Sequence, residues 1–168
     1  MSVNRGKKFE KVVQECFERI NDVSIDRIHD QTTGYRGSSN ICDFIVYREP
    51  NEFYFECKSV HGNTLPFSNI TETQWEGLLE KSAIPGVYAG IICWWIDKGV
   101  TRFIPIQELQ DLKDINVKSI RYDSKFPVDF GNGLYESIEI PAAKKRVFYD
   151  YDMEALLNEI AERYQETS

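Results

Sequence analysis

The stretch Ile41-Cys42-Asp43-Phe44-Ile45-Val46-Tyr47-Arg48-Glu49-Pro50-Asn51-Glu52-Phe53-Tyr54-Phe55-Glu56-Cys57-Lys58-Ser59 decides how the chain reads. Two strand-like runs, Ile41 to Tyr47 and Glu52 to Ser59, flank Arg48-Glu49-Pro50-Asn51, and a four-residue turn between them predicts an antiparallel hairpin. Alternation along the second run puts Phe53, Phe55 and Cys57 on one face and Tyr54, Glu56 and Lys58 on the other. The first set is core material. The second holds a carboxylate and an ammonium about 7 Å apart along the backbone, at ~3.4 Å rise per residue. Asp43, on the partner strand, can converge on both. Two acids and a lysine on adjacent strands suit phosphodiester hydrolysis. Carboxylate oxygens hold Mg²⁺, a bound cation activates water, and an ammonium orients that water or neutralises phosphate. A solvent-facing Glu-x-Lys ion pair is the plainer reading of the same residues.

Outward from the hairpin, Phe9, Val12, Val13, Cys16, Phe17 and Ile20 recur at helical spacing, predicting an amphipathic helix over about Asn4 to Asn21. A short strand is expected at Ser24 to Ile28, and a polar loop from Gln31 to Asn40. Val60 to Ile70 reads as another loop. Thr71-Glu72-Thr73-Gln74 has the Thr-x-x-Gln form of a capping box and opens a helix to about Lys81. Val87 to Trp95 and Val100 to Ile104 form a second hairpin around Asp97-Lys98-Gly99, and Pro105 can start a short helix through Leu112. Between Val117 and Val147 the pattern yields only two short strands and a turn at Gly131-Asn132-Gly133. Met153, Leu156, Leu157, Ile160, Ala161 and Tyr164 mark a C-terminal helix, about 152–165. The order of elements predicts an α/β class with a mixed β-sheet flanked by helices.

The chain has 168 residues, 42% hydrophobic and 13% aromatic, so one folded domain over 1–168 is expected rather than disorder. The longest apolar run, Val87 to Ile96, is ten residues, too short for the ~18 that suggest a membrane span. The N-terminus lacks a signal-like apolar segment, so a cytoplasmic protein is expected. Cys16, Cys42, Cys57 and Cys93 are widely spaced, which favours reduced packing cysteines over a zinc site with His29 and His61. Trp75, Trp94 and Trp95 read as core or dimer-interface residues, with Trp94 and Trp95 on opposite faces of one strand. Net charge is −7, which argues against nucleic-acid binding at face value, but Phe148 to Ser168 alone carries −5 of it.

Asp43, a hairpin, and Phe55-Glu56-Cys57-Lys58 resemble the D-(x)n-E-x-K signature of the PD-(D/E)xK nuclease superfamily. Asn4-Arg5-Gly6-Lys7-Lys8-Phe9-Glu10 resembles the opening of the RecU-type Holliday junction resolvases. Ile41 to Phe44 with Glu56 to Ser59 resembles that family's active-site hairpin. Leu65-Pro66-Phe67 and Gln74 resemble its next loop and helix, and Gly90 to Ile106 its second hairpin. The resemblance covers an active-site core of about 4–109.

It implies a restriction-endonuclease-like fold and a homodimer making paired nicks in branched DNA, a four-way junction, with Mg²⁺ or Mn²⁺. Asp43 and Glu56 would be metal ligands and Lys58 the residue orienting water or phosphate. Glu10 would be an accessory metal ligand, and Gln74 a catalytic support from the next helix. The plainer alternatives are a solvated helix charge for Glu10 and the capping box alone for Gln74. RecU-type resolvases carry a long basic stalk before the active-site hairpin, whereas here Asp30 to Asn40 has one base, Arg36. In this shortened form DNA contacts are expected from Arg5 and from Tyr35, Arg36, Ser38, Ser39 and Asn40, of the kind that position a backbone without reading sequence. A duplex-cutting restriction or repair nuclease, or an inactive DNA-binding module of the same fold, are the competing readings.

Overall fold

The computed structural model describes residues 4–29, 40–124 and 137–165. The expected first helix is α1, Arg5–Glu18, with the Asn4 side chain accepting from the Lys7 amide at its start. It is followed by β1, Ser24–Arg27, and by the hairpin of β2, Phe44–Arg48, and β3, Asn51–Val60. Next come β4, Thr64–Pro66; α2, Glu72–Ser82; β5, Val87–Trp95; β6, Val100–Pro105; and α3, Ile106–Asp114. The chain continues through β7, Ser119–Arg121; β8, Ile138–Glu139; β9, Ala142–Lys144; and β10, Tyr149–Tyr151, to α4, Met153–Gln165.

Six strands form one sheet in the order β1-β2-β3-β5-β6-β8. β3 and β5 are parallel, from Glu52 opposite Val87 to Val60 opposite Trp95, and the other neighbours are antiparallel. α2 is the crossover that a parallel pair requires. The sheet is therefore mixed and flanked by helices, as the sequence predicts. Helices cover both faces, so the central strands are apolar on both sides. Phe53, Phe55, Cys57 and Trp94 pack with Phe9, Val13 and Phe17 of α1 and with Met153, Leu156 and Ile160 of α4. Tyr54, Ile91, Cys93 and Trp95 face the other way, onto Trp75 and Leu78 of α2 and Leu109 and Leu112 of α3. Trp94 and Trp95 thus lie in opposite cores, and all four cysteines are buried and free.

Two local differences from expectation have physical causes. The hairpin turn is two residues, Glu49 and Pro50, because Arg48 and Asn51 already pair across it. The loop after β3 contains β4, whose partner is β7, more than fifty residues on, a long-range pairing that no local pattern announces. The turn expected at Gly131-Asn132-Gly133 lies outside the described residues. No helix among the described residues is long and apolar enough to cross a membrane.

Candidate active site

Asp43 stands one residue before β2, yet its backbone is tied on both sides. Its amide donates to Phe55 O at 3.0 Å, and its carbonyl accepts from the Ile28 amide at 2.8 Å. The side chain is held as well, because Oδ2 accepts the Cys57 N–H at 2.8 Å. That bond places the Asp43 carboxylate beside the backbone joining Glu56 to Lys58. It is a contact to a main-chain amide, which no side-chain pattern could signal.

Glu56 is a charged residue in the middle of a central strand, only 5% exposed. Lys58 Nζ lies 3.0 Å from Glu56 Oε1. Gln74 bridges the two, since Nε2 donates to Glu56 Oε1 at 2.8 Å and Oε1 accepts from Lys58 Nζ at 3.1 Å. The same Gln74 oxygen accepts the Thr71 N–H at 3.1 Å, while Thr71 Oγ1 accepts the Gln74 N–H at 3.2 Å. The capping box and the contacts to Glu56 and Lys58 therefore coexist in one side chain. The capping box that starts α2 aims its glutamine at the carboxylate and the ammonium.

α2 reaches this position because residue 77 is glycine. A Cβ at Gly77 would lie 2.2 Å from Ile41 Cγ2 and 2.7 Å from Ile41 Cβ, so only glycine admits the helix this close to the segment leading into Asp43. Gly77 is three residues after Gln74, on the same side of the helix.

Burial is the first cause that pushes the Glu56 carboxyl up, to about 8, and the adjacent Asp43 charge is the second. The Lys58 ammonium pulls the other way. A buried carboxyl raised by a neighbouring carboxylate forms with it a donor set suited to a hard divalent cation, whose charge would offset that repulsion. Among the described residues no three His, Cys, Asp or Glu side chains are gathered closely enough to hold an ion. Two carboxylates remain a sufficient protein contribution for Mg²⁺, which keeps much of its water shell and is commonly bound through one or two acids. Asp43 and Glu56 fit that requirement.

The other residues singled out from the sequence fall elsewhere. Glu10 on α1 pairs with Arg27 of β1 at 3.1 Å, and Arg27 also reaches Gln14. The Glu10 charge is among those raising the buried Cys57 thiol, so it borders the centre without completing a three-acid cluster. Arg5 is exposed at the start of α1. Asn40 Nδ2 donates to His29 O at 2.9 Å, drawing together the two ends of the intervening segment. Tyr35, Arg36, Ser38 and Ser39 lie outside the described residues. Sequence reasoning missed Arg27, Ile41 and Gly77. The last two carried no signal because their relation is a close approach between segments far apart in sequence.

No family model matches the chain, and no curated protein matches it. Among solved structures it is similar to Hjc, a Holliday junction resolvase from the archaeal hyperthermophile Archaeoglobus fulgidus. The two are 19% identical over 61% of this chain and 78% of that one, with a TM-score of 0.44.

Proposed function

We propose that this chain is a divalent-metal-dependent endodeoxyribonuclease whose reacting phosphate is received by Asp43, Glu56 and Lys58. One observation carries the reading: a buried carboxylate and a lysine on a central strand, bridged by one glutamine, beside a second carboxylate held by the Cys57 amide. A structural ion pair needs no second acid, and a second acid destabilises it. Asp43 and Glu56 would hold Mg²⁺ or Mn²⁺, which supplies charge stabilisation at phosphorus and an activated water. Lys58 orients that water or neutralises a phosphate oxygen, and Gln74 keeps its ammonium aligned. Glu10 is assigned as an outer metal ligand acting through water. Arg5, Asn40 and the segment with Tyr35, Arg36, Ser38 and Ser39 are assigned to the DNA backbone.

The finer reading is a Holliday junction resolvase acting in the cytoplasm as a homodimer in recombination and repair. Its support is the sequence resemblance at Asn4 to Glu10 and across the active-site hairpin. A two-fold dimer also matches a substrate that must be nicked twice by symmetry. The short interval from Asp30 to Asn40 favours the second reading, a nuclease acting on duplex DNA without a stalk to grip a junction.

The test compares cleavage of a four-way junction with a linear duplex of matched sequence, with Mg²⁺, Mn²⁺ or EDTA. Symmetric nicks in the junction alone are expected. Equal cutting of both substrates would move the assignment to the duplex nuclease. Absence of product with every metal would sink the catalytic reading altogether.

A further inference from the structure

β9 and β10 form a two-stranded ribbon apart from the six-stranded sheet. An isolated ribbon is marginal in water, and this one is anchored through β10 and the residue before it. Phe148 and Tyr149 lie 5.6 and 6.4 Å from the Trp94 ring, centroid to centroid. Tyr151 meets Phe9 edge-on at 6.1 Å, and its hydroxyl is 2.8 Å from Thr101 Oγ1. The other side is bare. Every residue from Pro141 to Val147 is exposed.

The Lys145 amide donates to Phe148 O at 2.9 Å, which closes the turn and leaves Arg146 and Val147 at its tip. Lys144-Lys145-Arg146 is the longest run of basic residues in the chain, and Ile140 to Tyr149 contains no acid, although the net charge is −7. Asp150 is engaged by Arg19, with Lys145 Nζ 4.0 Å away. Among the described residues Lys144 and Arg146 make no ion pair.

Lysines on a free strand edge commonly block edge-to-edge association. That role covers Lys144, the last residue of β9. It does not cover Arg146, which sits in the turn beyond the last paired residues, nor Val147, an apolar side chain 58% exposed beside it. A run of bases beside an exposed apolar side chain matches a sugar–phosphate backbone, which offers anionic oxygens next to apolar sugar faces.

We propose that Lys144, Lys145 and Arg146 at the tip of this ribbon contact the DNA backbone and hold a duplex arm of the substrate. The proposal takes its ligand from the nuclease reading above. It lies outside the stretch that resembles the resolvases, and it concerns binding rather than the reacting phosphate.

The test is fluorescence anisotropy of the full chain on a labelled duplex and a labelled four-way junction, in EDTA, over a range of NaCl concentrations. Two variants are compared with wild type: the triple alanine and the triple glutamate of residues 144–146. Each phosphate contact contributes roughly 0.9 to the slope of log K against log salt. The alanine variant is therefore expected to lower that slope by about 2–3 and weaken binding at least ~10-fold at low salt. The glutamate variant should weaken it further, with the thermal melt of both variants unchanged.

Affinity and slope equal to wild type in both variants would overturn the proposal. So would glutamate restoring wild-type behaviour where alanine causes self-association, since an edge guard works with either sign of charge. Wild type binding no DNA would overturn this proposal and the nuclease reading together. Ribbon-dependent binding without cleavage under Mg²⁺ or Mn²⁺ supports the contact and removes only the catalytic reading.

Discussion

Glu56 is held between opposing influences: burial and the Asp43 charge favour its protonated form, while Lys58 favours its charge. Its folded-state pKa of about 8 lies above the ordinary value of 4.5. The folded protein therefore binds more protons than the unfolded chain between those values. Stability of the metal-free protein should fall as pH rises through that window. Melting in EDTA from pH 4.5 to 8.5 checks the sign, and Glu56→Gln should remove most of this slope and melt above wild type at pH 8.5. Mg²⁺ should raise the wild-type melting temperature more at pH 8.5 than at pH 5, where a proton competes for the site. Equal stabilisation at both values would mean the cation does not use this carboxylate. For catalysis, Lys58→Ala should lower kcat by about 10²–10³, the scale of losing one charge-stabilising group. Asp43→Asn should abolish cleavage while leaving the fold and DNA affinity in EDTA. Glu56 and Lys58 were legible from alternation because β3 is regular. The Asp43 contact to the Cys57 amide was not, since sequence patterns describe side chains and not the main-chain atoms they meet.

At the scale of elements, α2 and β3 form one working unit. The helix was legible from its capping box, and the strand from its period of two. What lets the helix reach the strand was hidden, because it is the missing Cβ of Gly77 against Ile41, in the segment leading into Asp43. Gly77→Ala should gain helix propensity, roughly 1 kcal/mol, yet lose about 1–3 kcal/mol to overpacking. Urea denaturation should show net destabilisation. Turnover should fall even with substrate saturating, since displacement of α2 carries Gln74 away from Glu56 and Lys58. A variant both more stable and fully active would show that the helix tolerates displacement. Thr71→Ala should cost about 1 kcal/mol, within the ~0.5–2 range of lost N-caps, and should reduce kcat more than KM. β4 and β7 show the opposite case, three-residue strands too short to display a period and paired across a long interval. Their existence follows from tertiary pairing and not from local preference.

For the whole molecule, the region resembling known resolvases and the region that must fold are not the same. The resemblance ends near residue 109, while the core on the α1 face also takes in Ile138, Tyr151, Met153, Leu156, Leu157 and Ile160. Burial of large apolar side chains stabilises by roughly 1.5–3 kcal/mol each, against a total stability typically of about 5–15 kcal/mol. A chain cut after residue 136 should therefore lose cooperative unfolding, measured by near-ultraviolet circular dichroism and urea titration. A sharp transition near the full-length midpoint would show that the first part stands alone. The layered class and the sides of the central strands were readable from hydrophobic pattern. The place of the C-terminal helix was not, because its apolar stripe states that it packs and not where.

The parallel pairing of β3 with β5 has a consequence in time. As the chain leaves the ribosome, Asp43, Glu56 and Lys58 emerge well before Val87 to Trp95. Until β5 arrives, β3 lacks one of its two neighbours, and α2 has not been returned across the sheet to deliver Gln74. A nascent chain stalled before β5 would carry every acid and base of the proposed centre and still be unable to cut. If the proposed activity holds, the order of synthesis would thus keep an unfinished chain harmless to nucleic acid nearby.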